Sequence, residues 1–66
     1  MMKSDLVDLK VMIHSETPKA YFVSDTGDRN DAKWIPKSQC EIFEDPNTYE
    51  ITLTIPVWLA EEKGFI

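Results

Sequence analysis

Apolar and polar positions alternate most regularly near the C-terminus. Tyr49, Ile51, Leu53 and Ile55 interleave with Glu50, Thr52 and Thr54, a period of two that predicts a strand with one face turned to a core. Pro56 follows; it has no N–H for a ladder but suits the first turn of a helix. Val57, Trp58, Leu59 and Ala60 come next, then Glu61, Glu62 and Lys63, with Gly64 where a helix C′ residue belongs. The pattern predicts a strand running straight into a helix over residues 56–63. A helix of about two turns is too short to stand alone, so it must dock on the sheet, with Trp58 as its anchor. A Schellman-type end would return Phe65 or Ile66 to the helix.

The same alternation recurs upstream. In Leu6–His14, Val7, Leu9, Val11 and Ile13 share one face, while Asp8, Lys10, Met12 and His14 share the other. Met1–Asp5 reads as a frayed end. Ser15–Pro18 is a turn with its proline at the close, and Lys19–Ser24 is a second strand. Tyr21, Phe22 and Val23 are apolar in succession, which predicts that both faces of that strand are covered. Asp25–Asp31 is the longest polar run and reads as a hairpin loop in which Gly27 and Asn30 can take positive φ. Ala32–Ile35 is a third strand, Pro36 opens a 3₁₀ turn, and Cys40–Glu44 is a fourth strand. Asp45-Pro46-Asn47-Thr48 suits a type I turn and feeds the last strand at Tyr49.

Short strands spaced evenly, with turn signals between them and one terminal helix, define the class. It is mainly β (β-rich α+β), a small five-stranded antiparallel barrel, SH3-like or OB-like, with a short C-terminal helix. All 66 residues form one domain. Every connection is short, so strands adjacent in sequence should pair. The expected core is Val7, Leu9, Val11, Ile13, Ile51, Leu53 and Ile55, joined by Phe22, by Ile42 or Phe43, and by Leu59.

Composition narrows the function classes. Twelve acidic residues against seven basic ones give a net charge of −5, which disfavours a phosphate-binding surface. The plain reading of that charge is solubility; the sharper one is an acidic face complementary to a basic partner. Cys40 is the only cysteine, so no intrachain disulfide can form, and a single thiol fits a reducing cytoplasm. The N-terminal stretch has no apolar run long enough to be read as a signal peptide, and no stretch has the ~20 apolar residues of a membrane helix.

Candidate chemistry is thin. His14 is the single histidine, and any Ser-His or Cys-His pair must use it. Ser15 and Cys40 are the available nucleophiles, yet no nucleophile-turn motif surrounds either. One cysteine and one histidine do not make a zinc site. Asp25, Asp28, Asn30 and Asp31 offer oxygen ligands, but their order matches no Ca²⁺ loop. Glu41, Glu44, Asp45 and Glu50 gather about a surface turn, a setting that calls for no acid–base role. With two glycines, there is no phosphate loop. The aromatics are expected mostly in the core, with Tyr21 and Trp34 the most exposed. No cofactor, metal or catalytic residue is assigned.

Two fragments carry a family resemblance: Trp34-Ile35-Pro36-Lys37-Ser38-Gln39, and Ile51-Thr52-Leu53-Thr54-Ile55-Pro56 followed by Trp58-Leu59-Ala60-Glu61-Glu62-Lys63-Gly64. Together they resemble a group of small phage and prophage proteins with a W-I-P-K-S-Q core and an I-P-x-W-L-A-E-E-K-G tail. The similarity covers residues 19–66 and leaves the first strand unmatched. That group has no settled biochemical role, so the resemblance implies a setting, a mobile element in a bacterial cytoplasm, rather than an activity. Thr54-Ile55-Pro56 with its short helix is also similar to the swapped-hairpin regulators and antitoxins. This chain departs from them in its C-terminal placement of the motif and its lack of basic residues there.

The resulting expectation is a non-enzymatic module acting by protein–protein interaction, as a monomer or an edge-strand dimer. Two alternatives stand beside it: an acidic inhibitor that mimics nucleic acid toward a host defence or nucleic-acid enzyme, and a single-stranded nucleic-acid accessory protein using Lys19, Lys33 and Lys37 with Trp34, Tyr21, Phe22, Phe43 and Tyr49 as base-stacking aromatics. The expected interaction surface comprises Tyr21, Lys33, Trp34, Lys37, Asp28, Asp31, Glu44 and Asp45.

Overall fold

The computed structural model describes residues 5–66. Five strands form one antiparallel sheet: β1 (Leu6–Glu16), β2 (Ala20–Ser24), β3 (Lys33–Pro36), β4 (Glu41–Glu44) and β5 (Ile51–Pro56), followed by the helix α1 (Val57–Glu62). Single 3₁₀ turns at Arg29–Asp31 and Lys37–Gln39 flank β3. The frayed reading of Met1–Asp5 falls outside the described residues except at Asp5. The Asp5 carbonyl accepts a hydrogen bond from the Val57 N–H at 3.0 Å, extending the β1–β5 ladder.

The strand order is β3-β2-β1-β5-β4. β1 serves two halves: Leu6–Val11 pair with β5, and Met12–Glu16 pair with β2. Ile13 faces Val23 and Ser15 faces Phe22, so His14 is the extra residue of a β-bulge. The bulge lets β1 run two residues past its expected end, and the turn falls at Thr17–Lys19 instead. β3 and β4 are consecutive in the chain but do not pair. Pro36 and the 3₁₀ turn at Lys37–Gln39 carry the chain onward without reversing it, so both strands run the same way and form the two edges.

The sheet wraps around its core. Adjacent strands lie about 4.8 Å apart, so a flat sheet would separate Ile35 on β3 from Leu53 on β5 by three such steps. Instead Val23, Ile35, Leu53, Ile55, Leu59 and Ala60 form one buried cluster, with Val7, Leu9, Val11, Ile13, Tyr21, Cys40, Ile42 and Phe65 packed against it. The alternation therefore places β1 and β5 correctly. Phe22 is corrected: the bulge and the strand pleat set Tyr21 and Val23 inward and Phe22 outward. Ile42 rather than Phe43 faces the core, because Ile42 pairs with Leu53 while Phe43 pairs with Thr52 on the outer face.

The helix docks by a different residue from the expected one. Leu59 and Ala60 are buried, whereas Trp58 is 53% exposed. Beginning the helix at Val57 fixes the phase, and the face that meets the sheet is the one opposite the indole. The C-terminus follows the expected motif. Gly64 has φ +82, its N–H reaches the Glu61 carbonyl at 3.1 Å, and the Phe65 N–H reaches the Ala60 carbonyl at 2.8 Å, the bond pattern of a Schellman end.

Tyr49 is also corrected. It is not the first rung of β5 but a turn residue with φ +63, 73% exposed. The Asp45–Thr48 turn is one residue longer than expected, closed by the Tyr49 N–H on the Asp45 carbonyl at 2.7 Å, with Asp45 Oδ1 accepting from the Asn47 N–H. In the other loop Gly27 alone takes positive φ; Asn30 sits in the 3₁₀ turn that Asp28 caps.

Candidate functional site

The outer face of β2 and β3 carries the most organised set of exposed side chains. Phe22 and Trp34 are cross-strand partners, and their rings stack with centroids 4.8 Å apart. The guanidinium carbon of Arg29 lies 5.2 Å from the Phe22 centroid, and His14 meets Phe22 edge-on at 6.3 Å. Arg29 Nη1 also donates to the His14 carbonyl at 3.5 Å. Trp34 stays 44% exposed, with Met12 half-exposed on the same side of the sheet. The result is an aromatic platform whose rotamers are held by stacking and by a cation–π contact.

The platform rests on a buried polar link. Ser24 is fully buried; its hydroxyl shares a 2.8 Å hydrogen bond with His14 Nε2 and accepts the Gly27 N–H at 3.1 Å. These bonds tie the bulge on β1 to the acidic loop after β2. Within that loop Asp28 Oδ1 accepts from the Asn30 N–H at 2.8 Å, and Thr26 donates to Asp31 Oδ2 at 2.8 Å. His14 thus joins Ser24, whose side chain is fully buried, and not Ser15 or Cys40.

The eight expected surface residues fall into three places. Lys33, Trp34, Asp28 and Asp31 lie on β3 and the loop leading to it. Tyr21 faces the core, with Lys37 Nζ 4.7 Å from its ring centroid while the same ammonium pairs with Glu16. Lys37 is therefore engaged within the fold. Glu44 and Asp45 end β4, at the other extreme of the strand order. Sequence reasoning missed Phe22, His14 and Arg29. The available signal was Arg29 itself, the single base in an acidic loop, but its proximity to Phe22 depends on the loop's path.

Cys40 is half-buried, and burial raises its thiol pKa against a smaller opposing pull from the Lys37 ammonium. Among the described residues no group of three or more His, Cys, Asp or Glu side chains is arranged to hold a metal ion. No helix among them is long and apolar enough to cross a membrane. No protein-family model, curated protein or solved structure matches this chain.

Proposed function

We propose that this chain is a non-enzymatic binding module that engages a protein partner through the outer face of β2 and β3. The observation that carries the reading is the Phe22–Trp34 stack, 4.8 Å between centroids with the indole still 44% exposed. A stacked, half-exposed Trp, with an Arg over the ring it stacks on, belongs to the side-chain set from which interface hot spots are made. Because stacking already restricts the indole, little further side-chain entropy is lost on binding. Asp28 and Asp31 supply a polar rim, whereas Lys33, paired with the inward Val23, stands on the other face of β3.

Charge favours protein over nucleic acid. The chain carries −5 overall, and Lys37 is paired with Glu16, which leaves few cations for phosphate contacts. The acidic-mimic reading is weaker, since its carboxylates divide between the loop at Asp25–Asp31 and the hairpin at Glu41–Glu50. The phage-type resemblance supports a bacterial cytoplasm as the setting.

The test is affinity capture from a bacterial lysate, with and without nuclease, using the wild type, Trp34→Ala and Lys33→Glu. A partner retained after nuclease and reduced about tenfold or more by Trp34→Ala supports the reading, since a hot-spot loss of ~1.4 kcal/mol has that effect. Equal capture by Trp34→Ala, or capture that disappears with nuclease, would overturn it. Oligonucleotide binding at low salt that Lys33→Glu abolishes would favour the nucleic-acid alternative.

A further inference from the structure

Among the described residues, the two edges of the sheet differ in the backbone groups they leave without a partner. Hydrogen-bonded pairs recur at every second residue of an antiparallel ladder. The Asp45 N–H bonds the Glu50 carbonyl at 2.9 Å, and the same register pairs Phe43 with Thr52 and Glu41 with Thr54. Ile42 and Glu44 therefore turn their N–H and C=O groups away from β5. On β3 the Lys37 N–H bonds the Lys19 carbonyl at 2.8 Å, so Ile35 and Lys33 face β2 while Trp34 and Pro36 face outward. Pro36 has no N–H. The β3 edge thus offers a single outward donor, whereas β4 offers two, spaced as a new strand requires.

We propose that the β4 edge accepts an extended basic peptide segment from another chain, by strand addition. This surface is separate from the Trp34 face and does not depend on it. Backbone pairing would supply affinity, and side chains would supply selectivity. Charge complementarity names the partner: β4 begins at Glu41 and ends at Glu44, with Asp45 next in the chain, so Lys or Arg opposite them is favoured and like charge is not. A second copy of β4 is disfavoured for that reason. Phe43, 62% exposed on the outer face, gives an apolar rung for a neighbouring side chain. At the Glu41 end lies a groove of ≈ 250 Å³ lined in part by Leu6, Cys40, Glu41, Thr54 and Pro56. A lysine stem can lie along Leu6 and Pro56 there, with its ammonium at Glu41.

The probe is the capped peptide Lys-Val-Lys-Val-Lys-Val-Lys, titrated into ¹⁵N-labelled protein at low salt. The expected result is slowed exchange of the Ile42 and Glu44 amides, which point away from β5, with little change at Glu41 and Phe43, which point toward it. Glu44→Pro removes one outward donor without touching the β5 ladder, and Glu44→Lys reverses the charge without removing the donor. Each should weaken binding about tenfold or more, and the Glu-for-Lys peptide should not bind the wild type. Equal binding of a peptide N-methylated at alternate residues would show charge association without strand pairing and overturn the proposal. Protection confined to β3, or no binding, would do the same.

Discussion

Replacing Leu59 with Ala is the sharpest test of how α1 holds the sheet. Leu59 is 3% exposed and belongs to the buried cluster, while its neighbour Trp58 is 53% exposed. Truncation removes about three methylene equivalents, ~2.4 kcal/mol at ~0.8 each. The cavity left behind brings the expected cost to about 2–4 kcal/mol. Ala is the best helix former, so the loss reports packing and not helix propensity. For a domain of this size total stability is of the order of 3–10 kcal/mol at ~0.05–0.15 kcal/mol per residue. The variant should therefore melt roughly 8–32 °C lower at ~4–8 °C per kcal/mol. Trp58→Ala leaves no enclosed cavity and improves propensity by a few tenths, so its cost should stay below about 1.5 kcal/mol. Urea denaturation followed by far-UV circular dichroism measures both. If Trp58→Ala costs as much as Leu59→Ala, the indole and not the leucine is the docking residue, and the helix meets the sheet by the opposite face.

Further expectations concern single atoms. Ser24→Ala should cost about 1–3 kcal/mol in urea denaturation, because the fully buried Ser24 hydroxyl is the acceptor of the Gly27 N–H and the partner of His14. An unchanged midpoint would mean that water replaces the hydroxyl. Gly64→Ala should destabilise by about 1 kcal/mol through φ +82 alone, since nothing lies within 4 Å of the added Cβ. Tyr49→Gly, at φ +63 in an exposed turn, should move the thermal midpoint the other way, by up to about 1 kcal/mol in stability. Burial raises the Cys40 thiol pKa and Lys37 lowers it by a smaller amount. Iodoacetamide labelling of the folded chain should therefore rise at higher pH than labelling in urea, and Lys37→Ala should move the folded profile further upward.

Local alternation carries information about which face a residue takes, and only while the strand stays regular. Val7, Leu9, Val11, Leu53 and Ile55 are inward because a pleat of period two has no other way to bury them, and the order of residues alone makes that legible. Pro36 opening a 3₁₀ turn and Gly64 ending the helix are legible in the same way, since each follows from one residue's backbone freedom. Two features escape this logic. The bulge at His14 shifts the pairing of β1 with β2 by one residue, and a shift of one exchanges faces. Whether Phe22 or Tyr21 reaches the core is then decided by the partner strand and not by either residue. The helix is too short for a periodic pattern, so its buried side depends on where Pro56 delivers the chain. The aromatic platform belongs with these: Phe22, Trp34, Arg29 and His14 come from four separate segments, and only the wrapping of β1, β2 and β3 sets them on one face. The free β4 edge has the same origin. Every strand carries outward backbone groups, and the strand order alone determines which of them find no partner.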